Sequence, residues 1–456
     1  MGFVRWGGLW MALSGCGGDD PGPASPTDSI PTTTAASTAD TASTASTAST
    51  ADTASTASTA DSTSTARTGD TGAACLDAGC LVSWTSLGRF PRADLQALVD
   101  PRVVVENGYE VFVVEYRTEG GRTATGTITL PFDTAAPMPT AGWPVVVNAH
   151  GTIGVADACR LSGTVSGSGL AGLFGARGAI GVAPDYIGLG GPGDHDYLEL
   201  YDEAVAVLDA IRAAQHLADA HGVARSGRSA VVGLSQGGHA VLGAATWHSR
   251  YAPELDIRAF GASGPASLYA EQWSGGVGIP GTHMALHALV AWSFARRAGV
   301  DDTPLWAAGF DPVPHLSARC GWDPSFQGAP TLYDDFPVVA DQVFSGDYLA
   351  AYQSGTFAGF DVVAEGFDRN RVRPWLDVGT QTAPVVIWQG VDDVVVPAGG
   401  TVEMVDDLVA GGIDVTLHLV PGAGHTDTAF GFLASWEQAT EDSITWVREQ
   451  LDASAP

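Results

Sequence analysis

The chemistry in this chain gathers around one serine. Ser229-Ala230-Val231-Val232-Gly233-Leu234-Ser235-Gln236-Gly237-Gly238-His239 reads as a short apolar strand, a tight glycine-flanked turn and the start of a small-residue helix. That sequence of elements lifts a hydroxyl clear of a sheet, where it can attack a carbonyl carbon. With 58 Gly in 456 residues a bare Gly-x-Ser-x-Gly would mean little, so the flanking strand and helix carry the reading.

A serine hydroxyl is a poor nucleophile until a base takes its proton. The candidate base is His425, in Pro421-Gly422-Ala423-Gly424-His425-Thr426, where glycines allow a tight loop after the last apolar strand. The alternative is a solvent-exposed loop histidine. An acid that orients such an imidazole is offered by Asp392 or Asp393, in Gln389-Gly390-Val391-Asp392-Asp393 just after the strand Val385 to Trp388, and spacing alone leaves both open. The oxyanion of an acyl-transfer intermediate needs two aimed N–H groups. Gln236, directly after the serine, supplies one; Thr152, in His150-Gly151-Thr152 after an earlier strand, is the choice for the other.

The elements that must position these residues alternate. Val111 to Thr118 and Thr123 to Pro131 form a hairpin around Glu-Gly-Gly-Arg. Short continuous apolar runs follow at 143–148, 179–183, 257–262, 385–388 and 415–420, with helical periodicity at 198–220, about 401–409 and about 430–451. Buried strands alternating with helices predict an α/β fold, a mostly parallel sheet covered by helices on both faces. Between about 267 and 380 the alternation fails and Trp, Tyr, Phe and Pro accumulate, with helical candidates at Met284 to Arg297 and Asp347 to Phe360. This is read as an inserted helical cap; a second packing layer with no gating role is the alternative.

The net charge of −30 argues against nucleic acid or an anionic membrane surface as partner. All 21 basic residues are Arg, which excludes Schiff-base and Ser-Lys chemistry. No dinucleotide-binding or phosphate-binding glycine loop follows a predicted strand, and neither cofactor nor metal is implied.

Residues 1–16 read as an export signal: Arg5, an apolar run from Trp6 to Leu13 too short to span a bilayer, then Leu13-Ser14-Gly15-Cys16, which resembles a bacterial lipobox. Cys16 is then the lipidation site and the mature first residue; a chance cysteine behind an ordinary signal, giving a secreted protein, is the alternative. Residues 17–72 are Ala, Ser, Thr, Pro and Asp repeats with Ile30 as the only large apolar side chain, a disordered tether with a reach of about 40 Å. The folded domain is 73–456. The expectation is an exported, lipid-anchored monomer of the cell envelope or surface. Its four further cysteines, Cys75, Cys80, Cys159 and Cys320, suit an oxidising compartment, and Cys75–Cys80 with Cys159–Cys320 is the preferred pairing. Zinc is the rival use, but no Cys-x-x-Cys pair is present.

Three ordered motifs then carry a family resemblance. His150-Gly151-Thr152-Ile153-Gly154-Val155-Ala156-Asp157-Ala158-Cys159, Ala183-Pro184-Asp185-Tyr186-Ile187-Gly188-Leu189-Gly190 and the serine turn look like the secretory lipase (lipase A-like) family of α/β-hydrolases, over about Val82 to Leu451. The resemblance implies an exported serine esterase with a helical cap. It also implies Asp393 as the acid, four residues before Pro397 in Asp-x-x-Val-Pro, although this chain carries the extra neighbour Asp392.

The expected activity is hydrolysis of hydrophobic carboxylic esters, a small molecule or lipid, with Ser235, His425 and Asp393 as triad and Asp392 as the alternative acid. A serine peptidase of the same fold and a non-catalytic surface-binding module are the rival readings. His283 and His287 lack the glutamate of a His-Glu-x-x-His zinc motif and are read as cap packing, His239 as structural, and Asp185 as ordering a loop near the site.

Overall fold

A computed structural model describes residues 76–99, 104–135, 138–269, 282–321, 330–374, 383–429 and 439–453, together with a short antiparallel backbone pair, Val4–Trp6 with Leu9–Met11. Cys16, the 17–72 segment and Cys75 lie outside the described residues.

Nine strands form one sheet: β1 (Leu81–Phe90), β2 (Asn107–Arg117), β3 (Thr123–Thr134), β4 (Trp143–Ala149), β5 (Ile180–Ile187), β6 (Arg225–Leu234), β7 (Asp256–Ser263), β8 (Val385–Gly390) and β9 (Val415–Val420). Their order is β9-β8-β7-β6-β4-β5-β3-β2-β1. The six strands from β9 to β5 run parallel, and β3, β2 and β1 continue the sheet antiparallel. The β2–β3 hairpin turns through a single 3₁₀ turn at Glu119–Gly121.

The apolar runs are continuous because both faces are covered. Val145, Val147, Val231, Phe260, Val385 and Ile387 pack to one side, with helices α3 (Leu200–Ala220), α4 (Gln236–Tyr251) and α8 (Ala398–Ala410). Their alternates Val146, Ala230, Val232, Ala259, Val386 and Trp388 pack to the other, with Phe174 of α2 (Val165–Gly175) and Ile444, Val447 and Leu451 of α9 (Ala439–Asp452). A short helix α1 (Arg92–Leu98) follows β1. Each fully buried Val or Ile contributes about 1.5–3 kcal/mol.

β5 runs beyond Ala183 through Pro184, Asp185 and Tyr186 to Ile187. Proline has no N–H for a ladder, and the register with β3 slips there, between Ala124 and Gly126.

Between β7 and β8 lies the insertion, with helices α5 (Thr282–Arg297), α6 (Gly346–Gln353) and α7 (Asp361–Asn370). Its two ends meet where the Val372 N–H donates to Ser267 O at 3.2 Å. The helix expected over Asp347 to Phe360 stops at Gln353. Gly355 and Gly359, at φ 69° and 85°, turn the chain, and Phe357 also has positive φ, so a new helix starts at Asp361. Cys159 and Cys320, 161 residues apart, are disulfide-bonded, joining the loop after β4 to the insertion. Cys80 is disulfide-bonded too.

Candidate active site

Ser235 stands alone between β6 and α4, at φ 59° and ψ −116°. A non-glycine residue there costs about 1–3 kcal/mol and is held by its surroundings. Its N–H donates to Ser263 O (2.9 Å), and its carbonyl accepts from the N–H groups of His239 (3.0 Å) and Ala266 (3.3 Å). The two motif glycines are there for close approach: a Cβ on Gly233 would sit 2.5 Å from Gly237 O, and one on Gly237 would sit 2.0 Å from Ala149 O. The first turn of α4 is thereby pressed against the carboxyl ends of β4 and β6. Ser235 Oγ has no hydrogen bond among the described residues, so the expected bond to His425 is not formed here, whereas His425 does reach Asp393.

His425 lies in the loop after β9. Its Nδ1 is 2.8 Å from Asp393 Oδ2. A carboxylate only accepts, so Nδ1 carries the hydrogen and Nε2 is left with its lone pair. Asp393 is buried and fully bonded: Oδ1 accepts the N–H groups of Val395 and Val396, both at 2.8 Å, and Oδ2 accepts Gln389 Nε2 at 3.1 Å besides His425. Gln389 is itself fixed by Thr401 Oγ1 at 2.7 Å. Asp392 is exposed, and its N–H goes to Ala423 O, which shapes the loop without touching His425 through its side chain.

The pair reaches the serine's neighbourhood through the end of β7. Ser263, which accepts the Ser235 N–H, is followed by Gly264, where an added Cβ would lie 3.2 Å from His425 Nδ1 and 3.3 Å from Asp393 Oδ2. Ser263 Oγ also donates to Thr428, so β7 holds the serine turn from one side and the histidine loop from the other.

The loop His150-Gly151-Thr152 flanks the serine from β4, with the Cβ position of Gly151 3.5 Å from Ser235 Cβ. Two tyrosines hold it. Tyr186, at φ 64°, donates to His150 O at 2.8 Å, and Thr152 Oγ1 bonds the hydroxyl of Tyr197 at 2.7 Å. Gln236, first residue of α4, has an N–H with no intrahelical acceptor. Asp185, fully buried, accepts Leu161 N, Ser162 N and Thr125 Oγ1 and so orders the approach to α2. Burial pushes its carboxyl above the usual range, while those donors pull the other way.

Residues of the insertion come close as well. His283, in the first turn of α5, is lowered chiefly by burial, with Asp393 opposing and His425 adding to the effect. Its buried Nε2 has no hydrogen-bond partner among the described residues. His287, one turn on, sits among Phe344, Tyr348, Tyr352 and Phe367, and burial pushes it down to about 3. Many aromatics of the insertion thus face one another in a core of their own. No group of His, Cys, Asp and Glu fit to hold a metal occurs among the described residues.

Sequence reading overlooked the supports: Gln389 under Asp393, and Tyr186 and Tyr197 behind the loop; His283, read there as cap packing, lies close enough to Asp393 and His425 to be influenced by both. Only Tyr186 carried a signal, as part of Pro184-Asp185-Tyr186 at a strand end.

The model of the secretory lipase family matches residues 171–267, from within α2 to just past β7 and including the serine turn. No curated protein matches the sequence. Among solved structures, the rice cell wall degrading esterase LipA of Xanthomonas oryzae is similar at 19% identity and a TM-score of 0.64, over 82% of this chain and 98% of that one. Lipase A of Candida antarctica in its closed state is similar at 18% identity and a TM-score of 0.57, over 84% of each chain. The chain has the α/β-hydrolase fold and resembles the secretory lipase (lipase A-like) family.

Proposed function

We propose that this chain, a lipase/esterase-class hydrolase by its family match, cleaves hydrophobic carboxylic esters through an acyl-enzyme. Ser235 Oγ attacks the ester carbonyl while His425 Nε2 takes its proton. The oxyanion is held by the N–H groups of Gln236 and Thr152. On collapse, the carbon–alkoxy bond breaks and His425 returns the proton to the departing alcohol. Water, deprotonated by His425, then attacks the acyl-serine, and the acid leaves as Ser235 regains its proton. Asp393 keeps His425 in the tautomer this requires and stabilises the imidazolium. The observation that carries the reading is the His425 Nδ1 to Asp393 Oδ2 bond beside Gly264, next to a strained serine with an unbonded hydroxyl.

The test is Ser235→Ala, assayed on p-nitrophenyl esters and with a fluorophosphonate probe. Hydrolysis and labelling should vanish while the thermal unfolding transition stays. Retained hydrolysis would sink the assignment.

Export as a lipid-anchored monomer is the second part of the proposal. Leu13-Ser14-Gly15-Cys16 and the Cys159–Cys320 disulfide support it, and no helix among the described residues is long and apolar enough to cross a membrane. Cys16→Ser should move the protein from the detergent phase to the aqueous phase of a Triton X-114 partition; unchanged partition would remove the anchor from the account.

A further inference from the structure

Under the first turn of α4 lies a buried polar chain that the reaction above does not use. The side chain of Gln236 points inward, and its Nε2 donates to Glu203 Oε1 at 2.8 Å and to His195 Nε2 at 3.1 Å. The other oxygen of Glu203 is 2.7 Å from His239 Nδ1, and His239 Nε2 is 2.8 Å from the carbonyl of Asn370, the last residue of cap helix α7. Glu203, Gln236, His239, His195 and Asn370 are each at least nine-tenths buried.

Hydrogen-bond logic fixes the protons. Ile187 O accepts from His195 Nδ1 at 3.1 Å, so His195 Nε2 is an acceptor and Gln236 must present its NH₂ to it. The Asn370 carbonyl likewise requires hydrogen on His239 Nε2. One further proton must then lie between His239 Nδ1 and Glu203 Oε2, and the Glu203–His239 pair is neutral whichever atom holds it. The site thus contains a buried carboxylate without an unbalanced negative charge beneath the oxyanion. Asn370 closes the chain by accepting the Leu200 N–H at the start of α3, the helix that carries Glu203.

We infer that Glu203 is a positioning residue, which grips the Gln236 side chain to keep that residue's N–H aimed at the oxyanion and ties the turn through His239 to the end of the cap. This rests on the reading of Ser235 as nucleophile. Oxyanion stabilisation depends on donors aimed at the transition state, so losing the grip lowers kcat more than it raises KM.

The experiment compares Glu203→Ala, Glu203→Gln and Gln236→Met with the wild type on p-nitrophenyl butyrate, each rate expressed per serine labelled to completion by a fluorophosphonate. A wild type that is not labelled overturns the nucleophile reading and the inference with it. With labelling intact, Glu203→Ala should lose ten- to a hundredfold in kcat with KM within twofold, and a boronic acid that forms a tetrahedral adduct should weaken by the same factor. Glu203→Gln should return to within about threefold of wild type, because its oxygen accepts from Gln236 and its NH₂ donates to a neutral His239. Should Glu203→Ala not fold, Gln236→Met, which keeps the backbone N–H and the Glu203–His239 pair, should show the same kcat loss. Wild-type kcat in either truncation, or a Glu203→Gln as impaired as Glu203→Ala, would overturn the inference.

Discussion

His425 and Asp393 share a bond of 2.8 Å in which the carboxylate side chain is fully buried while the imidazole keeps 12% of its surface exposed. The asymmetry matters. Asp393 has four donors around it and no freedom to turn, whereas His425 is fixed at one nitrogen and open at the other. The geometry sets the tautomer before any substrate arrives.

Replacing Asp393 by Asn removes the acceptor that sets that tautomer. The expected loss in kcat is on the order of 10⁴, by the known cost of a mis-set triad histidine. Asp392→Asn should stay within twofold of wild type, since its side chain faces solvent. Steady-state rates on a soluble ester separate the two, and the reverse outcome would move the acid to Asp392.

Acid should destabilise the fold through a named histidine. Burial pushes His150 from 6.5 down to about 4, with its bond to Gly151 O opposing. The folded pKa lies below the unfolded one, so the contribution is complete above pH 6.5 and is lost as pH falls through about 4. Full loss amounts to about 3 kcal/mol, and His287 acts in the same direction. In calorimetry from pH 7 to 4, His150→Gln should show a shallower fall in Tm than wild type. Parallel curves would refute the assignment.

Gly237→Ala should unfold or silence the protein. Its Cβ would fall 2.0 Å from Ala149 O and 2.6 Å from the attached carbon, both backbone atoms of a central strand. A destabilisation of at least about 3 kcal/mol is expected, read as a shift in the urea midpoint. A midpoint within error of wild type would contradict the packing described.

The arginines at the end of α5 should differ in weight. Arg297 of α5 meets Asp202 at 2.6 Å, Glu199 at 3.5 Å and Asp196, and the Asp202 and Glu199 side chains are almost fully buried. Asp202 keeps Arg122 and Glu199 keeps Arg369, so Arg297→Met should cost about 1–2 kcal/mol, not the larger penalty of an orphaned buried charge. Arg296 pairs with the exposed Asp194 and lies over the Trp292 ring at 4.6 Å, and Arg296→Met should cost under about 1 kcal/mol. Equal midpoints in chemical denaturation would remove the distinction.

What the sequence revealed and what it hid divide along physical lines. Strands such as Pro144-Val145-Val146-Val147 are legible because both faces are buried and no polar alternate interrupts them. α2 is hidden because Val165 to Gly175 holds four glycines, a composition that disfavours helix. Its glycines let it lie against the sheet, as at Gly172 and Gly175 beside Tyr109 and Thr129, and tertiary packing overrides propensity. β1 is hidden because it is a half-exposed edge strand whose alternation breaks at two bulges. In the site, Ser235 and His425 announce themselves through local turn patterns. Choosing between Asp392 and Asp393 takes contacts 32 residues away, and the Glu203 chain spans separations of 33, 36 and 131 residues. No periodicity records contacts of that range.

The Cys159–Cys320 bond has a consequence in time. Beside it, the Gly321 N–H donates to Ile153 O at 2.9 Å, so the insertion is fastened to the residue that follows Thr152. A freshly made chain with free thiols has two segments 161 residues apart that nothing covalent holds together, and the loop bearing Thr152 lacks its outer brace. Oxidation of the two thiols supplies that brace. On the proposal of export made above, the disulfide would act as a maturation mark: the outer brace of the Thr152 loop closes only where thiols are oxidised, after the chain has left the ribosome.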